Sequence, residues 1–337
     1  VIGRRPLLGA AAGLVSLAAP RLAHAQVRDI TLQLWGTTWT SSLRRVAQEF
    51  EAKTGVKVNA VTQATSGEGL VKLQAMRQAP SIDVWFTTSS VAERAKTDTA
   101  LFTPLPYESL PAAKAIEAGA RGSHWVGVYF YQLGIVWRPD MVPQPIASWQ
   151  DLWGPRFRQK LSVPVMNSYQ ARMLLVAAML NGGGPENVEP GFEALKRLKP
   201  NVVSWYSSDT TARQGLAQGE YGVLVAPPAA LKRMMDTGVQ ARMVSPKPSP
   251  MMYDALMLVN TPKRDAAIRF IDFCLEKGMQ DVIAQGQGMG PVHPGASTIP
   301  EIAATLPAAG DRVSFDDGLI NANIAAWNER FAREIAS

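Results

Sequence analysis

Residues Ile30 to Val61 read ITLQLWGTTWTSSLRRVAQEFEAKTGVKVNAV, and the change of period within this stretch decides the fold. Ile30 to Trp35 (ITLQLW) is a short β-rich run. From Leu43 to Lys53 the apolar positions are Leu43, Val46, Ala47 and Phe50, the spacing of one helix face. Gly55 follows, where a glycine can take the left-handed conformation that ends helices. Val56 to Val61 (VKVNAV) then alternates, as a second strand does. Ser66-Gly67-Glu68-Gly69 introduces a helix to about Gln78, and Ile82 to Phe86 (IDVWF) is a third strand, followed at once by Thr87-Thr88-Ser89 and a helix through Lys96. This β-α-β-α-β order with short connections predicts a doubly wound α/β lobe.

Upstream lies a different kind of segment. Arg4-Arg5 precede a small-residue apolar run from Leu7 to Ala19, and Ala23-His24-Ala25 stands just before Gln26. A charged head, a short apolar run and an A-x-A site read as a secretory signal over residues 1–25. The paired arginines point to the twin-arginine export route. The expected product is a periplasmic protein of about 312 residues, enough for two lobes. The 34 basic and 28 acidic residues give +6, and +3 once Arg4, Arg5 and Arg21 are removed. The basic residues are scattered, so no nucleic-acid surface is expected. Cys274 is the single cysteine and cannot form an internal disulfide.

Downstream the rhythm repeats. Val126 to Trp137 (VGVYFYQLGIVW) reads as two strands broken at Gly134, and Trp149 to Trp153 as a helical turn before Pro155. Leu161 to Val165, Val202 to Tyr206, Gly222 to Val225 and Tyr253 to Asn260 read as strands. Tyr169 to Leu180, Glu193 to Leu198, Thr210 to Ala217, Ala229 to Thr237, Asp265 to Gly278 and Asn321 to Ala336 read as helices.

Three pieces of this order carry a resemblance. The first runs from Gly134-Ile135-Val136-Trp137-Arg138 through Ser148-Trp149-Gln150-Asp151-Leu152-Trp153 to Phe157-Arg158-Gln159-Lys160-Leu161. The second is Gln214-Gly215-Leu216-Ala217-Gln218-Gly219-Glu220. The third is Asp254-Ala255-Leu256 with Ala266-Ala267-Ile268-Arg269-Phe270-Ile271-Asp272-Phe273. Together they resemble the periplasmic solute-binding proteins of ABC importers, of the putrescine/spermidine-type branch. The resemblance implies the two-lobe α/β fold of type II periplasmic binding proteins, with a ligand cleft between the lobes. Lobe one would take residues 27–134 plus 247–296, and lobe two 135–246 plus 297–337. It also implies a small-molecule ligand, an ABC permease as membrane partner, a monomeric state and no cofactor.

In open α/β lobes ligands bind beyond the carboxyl ends of the strands. That places Trp35, Thr37, Thr38, Trp39, Ser66, Thr88, Ser89, Asn167, Tyr169, Tyr206 and Ser208 at the expected site, with Tyr129 and Tyr131 near the crossing and Tyr253 and Asp254 on the return. Two chemistries stand open. The aromatic residues could wall a site for an amine by cation–π contact, with Asp254 as counter-charge; equally, they could be core residues, and Asp254 could brace a hinge. Ser66, Thr88 and Ser208 stand at helix starts, where a carboxylate or phosphonate binds well, although Ser and Thr there also serve as plain N-caps. Polyamine binders of the branch place an aromatic and an acidic residue after the strand here occupied by Gly222 to Val225, and this chain has Ala226-Pro227-Pro228. The same residues exclude the tyrosine pair of related ferric-ion binders, and no metal site is expected.

Catalytic residues are not expected. His124 and His293 are the histidines beyond the signal, and there is no H-E-x-x-H, Cys-x-x-Cys or Walker motif, nor a G-x-S-x-G elbow beyond it. A two-lobe enzyme and a ligand-sensing subunit share the topology and stand as the alternatives to import.

Overall fold

The computed structural model describes residues 27–336. The expected signal over residues 1–25, with Arg4 and Arg5, lies outside the described residues.

The strands, in chain order, are β1 (Asp29–Trp35), β2 (Lys57–Gln63), β3 (Val84–Thr88), β4 (Trp125–Gln132), β5 (Gly134–Trp137), β6 (Leu161–Pro164), β7 (Val202–Tyr206), β8 (Val223–Ala226), β9 (Arg242–Val244), β10 (Ser249–Leu258), β11 (Gly290–Pro291) and β12 (Arg312–Val313). They form two sheets. The larger runs β11-β4-β10-β3-β1-β2, with β12 paired to the start of β10; the smaller runs β7-β6-β8-β5-β9. Each sheet joins a parallel trio to a strand of opposite direction. β1 pairs in parallel with β2 and β3, and β10 lies antiparallel to β3. β6 pairs in parallel with β7 and β8, and β5 lies antiparallel to β8. This is the two-lobe α/β architecture that the sequence predicts.

Local chemistry explains the elements. The helix Arg44–Thr54 buries Val46, Ala47 and Phe50 and ends at Gly55, whose φ of 73° suits glycine. β3 (VWFTT) is apolar at successive positions because helices cover both faces of the parallel sheet. On one face, Phe86 and Leu256 pack with Phe50 and Ile271; on the other, Trp85 and Met257 pack with Leu73 and Ala92.

The lobes are joined at ordered crossings. β4 leads into β5 through Leu133 alone, and residues 245–248 return from β9 to β10. Gln132, fully buried, pins them: its Nε2 donates to Ser245 Oγ at 2.9 Å and to the Thr305 carbonyl at 3.2 Å. Trp149 grips the same return segment from lobe two, its indole N–H donating to the carbonyls of Pro246 and Pro248, both at 3.0 Å.

Four departures from the sequence reading stand out. The segment 297–337 is divided between the lobes. Arg312 and Val313 pair with Ser249 and Pro250 of the larger sheet, whereas the helix Asp317–Glu334 packs its far end on lobe two, with Phe331 edge-on to Trp205 at 5.0 Å. The expected helix at Asp265–Gly278 is two helices, Arg264–Leu275 and Lys277–Gln287, broken at extended Glu276. The second is rich in Gly and Gln, which weakens its periodic signal. Gly286 is needed there because a Cβ would meet the Ser41 carbonyl at 2.4 Å. β10 begins four residues before Tyr253, since Pro250 masks its start. Finally, the helix expected from Tyr169 begins at Arg172.

Candidate functional site

Side chains alternate across a strand, and that alternation assembles the site. Tyr129 and Tyr131 share a face of β4, and Tyr129 lies opposite Asp254 on β10. Asp254 in turn lies opposite Thr88 at the end of β3. The Tyr129 hydroxyl donates to Asp254 Oδ2 at 2.5 Å and the Tyr131 hydroxyl to Oδ1 at 3.2 Å. Burial pushes the Asp254 carboxyl up to about 7, against the pull of the two hydroxyls, and the charge of Asp209 adds to the rise. Burial, followed by the Asp254 charge, holds both tyrosines well above their usual range. They are neutral donors.

Lobe two brings Tyr169 to this group. Its ring meets Tyr131 edge-on at 6.3 Å, and its hydroxyl donates to Asp209 Oδ1 at 2.6 Å. Burial pushes the Tyr169 hydroxyl up, with the neighbouring Tyr206 and Asp209 adding to it. Tyr169, Gln170 and Ala171 have φ of 54°, 46° and 57°. Left-handed backbone at a residue other than glycine costs about 1–2 kcal/mol, and such strain clusters at ligand clamps. It explains why a helix does not start at Tyr169: the chain spends three residues turning that ring toward lobe one.

Other expected residues take different places. Trp35 joins the cluster through Phe86, edge-on at 5.7 Å, and Phe86 tilts against Tyr129 at 5.9 Å. Thr38 is buried, with its hydroxyl beside Tyr129. Thr37 is exposed, and Trp39 packs half-buried against the main core. Tyr206 is buried with its hydroxyl donating to the Val225 carbonyl at 2.7 Å, which ties β7 to β8. Asn167 is exposed at the end of the loop after β6.

Tyr253 departs most. It is adjacent to Asp254, so the pleat sends it to the opposite face, where its ring tilts over Trp125 at 6.2 Å and its hydroxyl bonds to Glu117. It is not part of the cluster.

The helix-start residues also separate. Thr88 and Ser208 are N-caps, accepting from the backbone N–H of Val91 at 3.4 Å and of Thr211 at 3.3 Å. Ser66 is not the cap of its helix; Thr65 is, accepting from Glu68 N at 3.1 Å. Ser89 is buried in the first turn of the helix that Thr88 caps. Sequence reasoning missed Asp209, Phe86 and Arg172. Asp209 follows β7 directly, a position the strand-end rule could have included; Arg172 was hidden inside the expected helix.

The cluster can hold a cation. A carboxylate has about four acceptor sites, and two tyrosine donors leave the rest for a ligand N–H. The rings of Tyr131 and Tyr169 add cation–π attraction.

Comparison with known proteins bears on the family and the fold. A family model described as bacterial extracellular solute-binding protein matches residues 45–308. The chain is 25% identical to a gamma-aminobutyric acid-binding protein of Pseudomonas aeruginosa, over 88% of this chain and 87% of the relative. It is 23% identical to spermidine/putrescine-binding periplasmic protein 1 of Haemophilus influenzae, over 71% of this chain and 69% of the relative. An ABC transporter substrate-binding protein of Bradyrhizobium japonicum superposes with a TM-score of 0.78 at 19% identity, covering 91% of this chain and 99% of the other. With the matching model spanning most of its length, the chain belongs to the bacterial extracellular solute-binding protein family.

Proposed function

We propose that this protein captures a small solute carrying an ammonium group in the periplasm, between its lobes, and delivers it to an ABC importer in the membrane. One observation carries the reading. Asp254 is buried at the junction of the lobes, and both its partners are neutral hydroxyls. Its negative charge is left for a ligand cation to neutralise. The relatives support this, since 4-aminobutyrate, spermidine and putrescine all bear an ammonium group at neutral pH. Against an anion, the helix-start N–H groups of Val91 and Thr211 are already taken by the Thr88 and Ser208 hydroxyls. Tyr131 of lobe one and Tyr169 of lobe two would both face the solute, so binding would favour closure.

The test is thermal unfolding of protein refolded to strip bound ligand, against amines, amino acids, carboxylates and phosphonates at pH 8 and pH 5. An amine at about 100 times its dissociation constant adds about 2.7 kcal/mol and raises the midpoint by a few degrees. With Asp254 titrating at about 7, protons compete at pH 5 and weaken binding about 100-fold. The same concentration then adds only about 0.4 kcal/mol. A shift with anions alone, or an amine shift equal at both pH values, would contradict the reading.

A further inference from the structure

Arg172 opens the nine-residue helix Arg172–Leu180 and is 2% exposed. Its Nη2 donates to Asp317 Oδ1 at 2.7 Å, its Nη1 reaches the Gln170 carbonyl at 3.4 Å, and its guanidinium lies 5.2 Å from the Phe315 ring. Its Nε is buried and has no hydrogen-bond partner in the protein. A buried N–H of a charged group is costly to leave unpaired, so a donor kept free in this way points to a ligand. The place is specific. Arg172 follows directly on the three left-handed residues that swing Tyr169 onto Tyr131, and its charge reaches the Tyr131 hydroxyl, where it opposes the effect of burial. The positive end of the helix dipole lies at the same point.

We infer that the site takes a zwitterion on a short aliphatic chain, with the ammonium on Asp254 and the carboxylate accepting a hydrogen bond from Arg172 Nε. This rests on the amine reading above and narrows it. Asp317 engages the guanidinium through Nη2 and leaves the buried Nε without a partner. A diamine would bring a second cation toward a guanidinium and a helix N-terminus. A simple alkylamine would leave the Nε unpaired. Asp209, held by Tyr169 at 2.6 Å, adds negative charge on the ammonium side.

The experiment is calorimetric titration of 4-aminobutyrate, n-butylamine, butyrate and putrescine into the wild-type protein, Arg172→Gln and Arg172→Lys. The wild type is expected to bind 4-aminobutyrate at least about 10-fold tighter than n-butylamine or putrescine, because a charge-assisted hydrogen bond is added. Arg172→Gln should weaken 4-aminobutyrate about 10- to 100-fold while leaving n-butylamine within about 2-fold. Arg172→Lys keeps the charge without the Nε donor and should recover only part of the loss. Should the loss of the Asp317 partner prevent Arg172→Gln from folding, the wild-type ranking still decides. Putrescine binding tighter than 4-aminobutyrate, or equal losses for both amines in the variants, overturns the zwitterion and leaves the amine reading standing. Binding of none of the amines overturns both.

Discussion

Asp254→Asn is expected to abolish solute capture and at the same time make the protein more stable at pH 8. The Asp254 carboxyl titrates at about 7 in the folded protein, against an ordinary 3.8, because burial disfavours its charge. Between about pH 4 and pH 7 the folded chain therefore holds a proton that the unfolded chain has released. Stability falls as pH rises across that window, and the loss is complete above pH 7. Asparagine carries no charge and removes this penalty. It can accept through one oxygen only, so one of the Tyr129 and Tyr131 hydroxyls loses its acceptor, which costs about 1 kcal/mol. The expected net gain is about 1–3 kcal/mol at pH 8 and close to zero at pH 5, where the aspartate is already protonated. Affinity for an amine should fall at least about 100-fold, because the buried ammonium loses its counter-charge. Melting curves at both pH values, with one titration, check all of this. An Asp254→Asn protein less stable than wild type at pH 8, or one binding amine as well as wild type, would show that the carboxylate braces the fold. Stability withheld at a binding site is a common exchange.

The second large effect is expected at Trp149. This side chain is fully buried, and its indole N–H satisfies two carbonyls of the return crossing, those of Pro246 and Pro248. Trp149→Ala should cost about 3–5 kcal/mol through lost packing and the cavity left behind. Trp149→Phe keeps most of the apolar volume and leaves the two carbonyls without their donor, for about 1–3 kcal/mol. The phenylalanine variant should also bind solute more weakly, although Trp149 lies outside the tyrosine cluster, because the crossing it holds leads directly into β10 and Asp254. A phenylalanine variant as stable as wild type would show that the indole serves packing alone. The capping box around it, with Asp151 accepting from Ala147 N at 2.8 Å and Ser148 N at 3.0 Å, fixes the turn that presents the indole.

Most of the architecture was legible because it rests on local period. VKVNAV alternates and is β2; the Leu43 to Lys53 stripe is a helix; Gly55 ends it with the left-handed turn that glycine permits. The break was readable to within a residue, at Leu133 beside Gly134, since the run from Val126 to Trp137 has to leave one sheet and enter another. What stayed hidden depends on tertiary context. The left-handed turn at Tyr169–Ala171 has no glycine to announce it; its sequence, Tyr-Gln-Ala before Arg-Met-Leu-Leu, is that of a good helix start. The pairing of Arg312 and Val313 with β10 spans too few residues to show a period.

The site divides in the same way. Tyr129, Tyr131 and Asp254 could be placed together by topology, because strand ends converge at the crossing. The same adjacency misled at Tyr253, where the two-residue period of a strand sends neighbours to opposite faces. Ser66 does open its helix, and the cap is Thr65, one residue earlier; capping depends on backbone geometry that composition alone leaves open by a residue. Arg172 could not be singled out at all, since only the fold shows that a charged side chain one residue past a strained turn is buried with a free Nε.

The most direct test of the central claim is a crystal structure of the protein with the tightest-binding amine from the titrations. The account predicts the amine nitrogen about 3 Å from the Asp254 carboxylate, between the rings of Tyr131 from lobe one and Tyr169 from lobe two. A ligand held elsewhere, or one leaving Asp254 in contact with Tyr129 and Tyr131 alone, would contradict it.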